Sequence, residues 1–133
     1  MYHQMSSGLV LSATPGQSVV DHSQPISLQG TNNVTLECFL VEASPPGHGT
    51  VQFVVEESND LENWSAPGIA WTWTGYVGNT LRDQAPDLHK FTAYSPLKSM
   101  FLRLRYELLN SDATGTDPTT VQLAAAIVAV RNS

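Results

Sequence analysis

The spacing of apolar residues constrains this chain most: they recur at every second position and almost nowhere at every third or fourth. In Asn33 to Glu42, Val34, Leu36, Cys38 and Leu40 share one face of an extended segment, while Thr35, Glu37, Phe39 and Val41 share the other. Thr50 to Glu57 repeats the device, setting Val51, Phe53 and Val55 against Gln52, Val54 and Glu56. Met100 to Leu109 is clearer still, with Leu102, Leu104, Tyr106 and Leu108 facing in and Arg103, Arg105 and Glu107 facing out. An amphipathic helix needs a period of 3.6, and no stretch supports three turns of one. The pattern predicts an all-β chain.

Glycine, proline, asparagine and aspartate punctuate the strands. Short candidates at Gly8 to Ala13, Ser18 to Val20 and Ile26 to Gln29 are split by Pro15-Gly16 and Gln24-Pro25, where proline removes a ladder donor and restricts its predecessor. Ile69 to Tyr76 and Lys90 to Tyr94 flank a polar loop, Gly78 to Leu88, and Thr119 to Val130 closes the series. Two antiparallel pairings are expected. One joins Asn33–Glu42 to Thr50–Glu57 across the Ser44–Gly49 loop, and the other joins Met100–Leu109 to Thr119–Val130. About eight strands of this kind imply a two-sheet antiparallel β-sandwich, jelly-roll or immunoglobulin-like, with both topologies open. A chain of 133 residues is of single-domain size, so residues 1–133 are expected to be one sandwich, with 1–13 as an extended N-terminal arm.

The net charge is −6 with only six Lys and Arg, which leaves no cationic surface to neutralise phosphates or to hold an anionic membrane. Neither nucleic acid nor membrane is expected as a partner. The single cysteine, Cys38, cannot form an internal disulfide. The first residues have no basic n-region, and the apolar run Leu9-Val10-Leu11 is too short for a signal-peptide core. No secretory signal is expected, and the compartment this suggests is cytoplasmic assembly or a virion.

Catalytic chemistry finds little to work with. There is no G-x-S-x-G turn, and His3, His22, His48 and His89 lie apart without a spacing that would place two imidazoles on one metal. Cys38, on a core face, behaves as a small hydrophobe. The loop Asn110 to Asp117 is rich in side-chain oxygens but lacks the register and the bidentate glutamate of a calcium loop. The expectation is no enzyme, no catalytic residue, no cofactor and no metal.

In Ser58-Asn59-Asp60-Leu61-Glu62-Asn63-Trp64 the short polar side chains suit a turn, after which Trp64 is expected to fold back and cap the open end of the sandwich. The stretch V-x-x-S-N-D-x-x-x-W resembles the S-x-D-G-x-x-W hairpin of β-sandwich domains in bacteriophage structural (head decoration and tail) proteins and other multi-domain bacterial surface proteins. Phe101 to Arg105 (F-L-R-L-R) resembles a later strand of the same domains. The resemblance covers roughly half the chain, and Leu61 stands where those domains carry glycine. It implies a structural or adhesive module rather than an enzyme.

Two further features bear on partners. Trp71 and Trp73 are two apart on one face of a strand, where they either fill the core or stack on sugar rings. In the last strand both faces are apolar: Val121, Leu123, Ala125, Ile127 and Ala129 on one, Ala124, Ala126, Val128 and Val130 on the other. A strand wetted on one side alternates, so this one is expected to be covered on both. The leading expectation is a non-enzymatic protein that assembles with copies of itself or decorates a larger particle, a phage-like head, tail or shell component. Its contacts would come from Leu9, Val10, Leu11, Ala124, Ala126, Val128 and Val130. The alternative is a carbohydrate-binding module using Trp71 and Trp73.

Overall fold

Alternation puts a hydrophobic side on each strand, and two such sides closing on each other make the core. The computed structural model describes residues 2–31, 33–43, 49–66, 70–77, 87–93, 99–111 and 118–130. Among them are nine strands: β1 (Tyr2–Ala13), β2 (Ser18–His22), β3 (Ile26–Ser27), β4 (Asn33–Ala43), β5 (Gly49–Ser58), β6 (Ala70–Val77), β7 (Asp87–Ala93), β8 (Phe101–Asn110) and β9 (Thr119–Val130). One sheet, here the A sheet, runs β1-β9-β4-β7. The other, the B sheet, runs β2-β8-β5-β6, with the short β3 also pairing β8. Every pairing is antiparallel. The chain is an all-β two-sheet sandwich.

The topology decides between the two expected outlines. An immunoglobulin sandwich pairs its first two strands in one sheet, whereas here β1 and β2 lie in different sheets. The strand order is that of a jelly roll. It also corrects both expected pairings. β4 bonds to β7 and β9, and β5 to β6 and β8, so β4 and β5 face each other across the core instead of forming a hairpin. β8 and β9 are likewise in opposite sheets. Alternation shows which face of a strand is buried and not which strand lies beside it, so strands adjacent in sequence can equally sit in opposite sheets with their apolar faces turned to the same core.

The core follows the alternation closely. Val34, Leu36 and Cys38 of β4, Val51, Phe53 and Val55 of β5, Leu102, Leu104, Tyr106 and Leu108 of β8, and Val121, Leu123, Ile127 and Ala129 of β9 are all buried. Phe53 and Tyr106, directly opposite in register, meet edge to face at 5.5 Å between ring centroids. Burial pushes the Tyr106 hydroxyl up to about 12, and it also pushes the Cys38 thiol well above its usual range. The Ser6 hydroxyl acts the other way on Tyr106, although neither oxygen has a partner at hydrogen-bonding geometry.

Residues 2–13 are not a free arm. They form β1, an edge strand bonded along its length to β9 of the same chain, with Leu11 and Ala13 buried and Met5 and Leu9 packed on the core. The register slips between Gln4 and Ser6 and between Ser7 and Leu9, and each slip resets which residues face in. The β1–β2 turn is tied down by Asn110. Its buried side chain donates to the Ala13 carbonyl at 3.1 Å, its backbone N–H donates to the Gln17 carbonyl at 3.0 Å, and its own carbonyl accepts from Gly16 N–H at 2.9 Å. Pro25 interrupts the edge between β2 and β3. Across that break Leu104 N–H donates to Ser23 Oγ at 2.8 Å and Ser23 N–H to the Leu104 carbonyl at 2.9 Å, so the β8 backbone stays satisfied.

Candidate assembly surfaces

The turn after β5 is built by one carboxylate. Asp60 Oδ1 accepts from Ser58 Oγ, Glu62 N–H and Asn63 N–H at 2.8–2.9 Å, and Oδ2 accepts from Asn63 Nδ2 at 2.7 Å. The Asn63 backbone and side-chain donors, with those of Glu62 and Ser58, hold the Asp60 carboxyl well below the usual carboxylate range. Ser58 Oγ accepts from Leu61 N–H at 3.0 Å and Asp60 N–H at 3.2 Å, and Asn59 Oδ1 accepts from Met100 N–H at 3.0 Å, which pins the turn to the chain entering β8. Leu61 takes φ +63°, the left-handed region in which glycine is preferred. That is the position where the resembling hairpins carry glycine.

Trp64 departs from its expected place. Its ring lies under the guanidinium of Arg103, with Cζ 4.1 Å from the ring centroid, and the side chain is half-buried. Arg103 points away from the core on β8, so the indole covers the outer face of the B sheet and not the open end of the sandwich. The bridge between Glu57 and Ser65 fixes this, because it returns the chain alongside β5 one residue after the tryptophan. Sequence reasoning missed the Arg103 partner, for which the outward position of Arg103 on its strand was the available signal.

The outer face of the B sheet has β8 at its centre. Arg103 Nε donates to Glu56 Oε1 at 2.8 Å, and His22 Nε2 lies 3.7 Å from the same oxygen. Next along β8 come Arg105, whose buried Nε has no partner, and Glu107, with His22 and Val20 of β2 opposite them in register. Val20 and Leu109 are exposed apolar residues on this face, 47% and 37% accessible.

The outer face of the A sheet is quieter. Ala124 to Ala126 floor a shallow depression of about 230 Å³ walled by Tyr2, Gln4 and Glu37. Ala126 is only 5% exposed, because the larger side chains of the flanking strands stand over it. Of the expected contact residues, Leu9 and Leu11 turn inward to their own core and are lost to any partner. Val10 is exposed, Ala124 and Val128 are half-buried, and the Val130 side chain lies outside the described residues.

Trp71 and Trp73 stand opposite Phe53 and Val51 in the β5–β6 register, backbone positions whose β5 partners point into the core. Their side chains, those of β7 with His89, residue His48 and the loop 112–117 lie outside the described residues. Among the described residues no group of three or more His, Cys, Asp and Glu is placed to hold a metal, and no helix is long and apolar enough to cross a membrane.

No protein-family model matches the chain, and no curated protein matches it. Solved structures do match its fold. The chain is similar to the infectious bursal disease virus VP2 subviral particle, with TM-score 0.60 and 12% identity over 98% of this chain and 32% of that one. The structure of the Gt strain of the same virus gives TM-score 0.60 and 13% identity over 98% and 31%. The Gx strain gives 0.59 and 12% over 97% and 31%. The chain thus spans about a third of the length of these viral proteins, and at such identity the likeness is one of fold.

Proposed function

We propose that this chain is a structural domain of a particle shell, working by assembly with copies of itself or with a second structural protein rather than by catalysis. The observation that supports the reading best is the match of nearly the whole jelly roll to a portion of proteins from a virus particle. The acidic balance and the apolar outer positions Val10, Ala124 and Val128 agree with it, since a shell component needs surface that neighbours can cover. The phage-like hairpin at Ser58–Trp64 is compatible with such a role but serves here as an internal brace. Whether the chain builds the shell or decorates it is the finer part of the proposal.

Negative-stain electron microscopy of the purified chain, alone and with the shell proteins of its source, tests the reading. Regular particles or decorated shells are expected. Dispersed single chains under both conditions would overturn it. A glycan array run in parallel examines the carbohydrate alternative.

A further inference from the structure

We infer that the outer face of the B sheet is a two-fold contact between copies of this chain, in which Arg105 of each copy pairs with Glu107 of the other. The inference rests on the assembly reading above and names the face that carries it. On β8, Arg103, Arg105, Glu107 and Leu109 project outward in turn. Arg103 is already held by Glu56 and Trp64, whereas among the described residues Arg105 has a buried Nε without an acceptor and Glu107 forms no ion pair. Glu107 stands two residues further along the same outward face without pairing with Arg105, so the face presents a cation and an anion side by side that a second copy can complement.

The geometry is that of an isologous contact. Residues 105 and 107 lie about 6.6 Å apart along an extended strand. A two-fold axis in the plane of the contact, running across the strands midway between them, lays β8 antiparallel over its partner's β8. Each Arg105 then faces the partner's Glu107. The same operation brings Leu109 over the partner's Arg103, which is stacked on Trp64, and Val20 over the partner's His22. The two exposed apolar residues of the face are therefore covered together with the charges. β2, β8, β5 and β6, of 5, 10, 10 and 8 residues and about 4.8 Å apart, project roughly 500 Å², and standing side chains add to that against the ~800 Å² per partner of a stable interface. The A sheet's alanine floor offers no comparable self-complementarity.

Complementary charge reversal tests the contact. Sedimentation velocity is run on the full chain, on R105E, on E107R, on the R105E/E107R double variant and on an equal mixture of the two single variants. Circular dichroism and melting confirm that each is folded. The full chain is expected to dimerise or assemble further. Each single variant alone should associate about tenfold or more weakly, because like charges then oppose. The mixture and the double variant should recover, since both restore an opposite pair, and association should weaken with added salt. A full chain that stays single at every concentration overturns this contact and the self-assembly half of the reading, leaving decoration of a second structural protein to the microscopy. A full chain that assembles while R105E and E107R do so equally well overturns this contact alone.

Discussion

At the residue scale, Trp64 shows how a side chain's partner sets its energetic weight. Half-buried on Arg103 instead of sealing the core, it should contribute about 1–2 kcal/mol, so Trp64→Ala ought to lower the urea midpoint modestly. A loss as large as a core truncation, about 3–5 kcal/mol, would mean that the ring is fully enclosed. Leu61 sits at φ +63° with its side chain exposed. Leu61→Gly should relieve about 1–2 kcal/mol of backbone strain and lose about half of that to chain entropy, for a small net gain in thermal stability. Tyr106 and Cys38, both pushed up by burial, share the alkaline limb. Its pKa is raised by burial to about 12 in the folded chain, above the ordinary value near 10. The folded state then holds more protons between those values, so stability falls as pH rises through that window. Tyr106→Phe should flatten this part of the decline, leaving the part due to Cys38; an unchanged alkaline limb would show that Tyr106 ionises freely when folded.

At the element scale, legibility tracked the phase of the alternation. β4, β5, β8 and β9 were readable face by face because the period of two runs unbroken through Val34–Cys38, Val51–Val55, Leu102–Leu108 and Val121–Ala129, the slips in β4 and β5 falling outside those stretches. The first half of β1 was not. His3 and Ser6 occupy core-facing positions opposite Ile127 and Ala125, and two register slips break the phase, so its polar sequence looked like a solvated arm. β2 and β3 were legible as fragments because Pro25 ends one and begins the other. β1 also carries a prediction. Removing residues 2–13 strips Leu11 and Ala13 from the core and turns β9 into an exposed apolar edge. The truncated chain should lose its cooperative melting transition and aggregate. A soluble truncated chain melting as sharply as the parent would show that β1 is dispensable to the fold.

At the scale of the whole molecule, the sandwich could be read from the sequence but its wiring could not. Local alternation states which face of a strand is buried. It does not state which strand lies alongside, and in a jelly roll most neighbours are distant in sequence: β1 with β9, β2 with β8, β5 with β8. The candidate assembly surfaces were legible only in part for the same reason. The apolar outer side of β9 was visible, while the Arg105–Glu107 face gained meaning once β8 lay central in its sheet between β2 and β5. On the proposed reading, this jelly roll works by joining copies of itself or of a structural partner into an ordered shell. Sedimentation velocity of the full chain across a rising concentration series at neutral pH and moderate salt tests self-joining most directly. On that reading a discrete species heavier than one chain is expected, its fraction growing with concentration. A single-chain sedimentation coefficient throughout would contradict it.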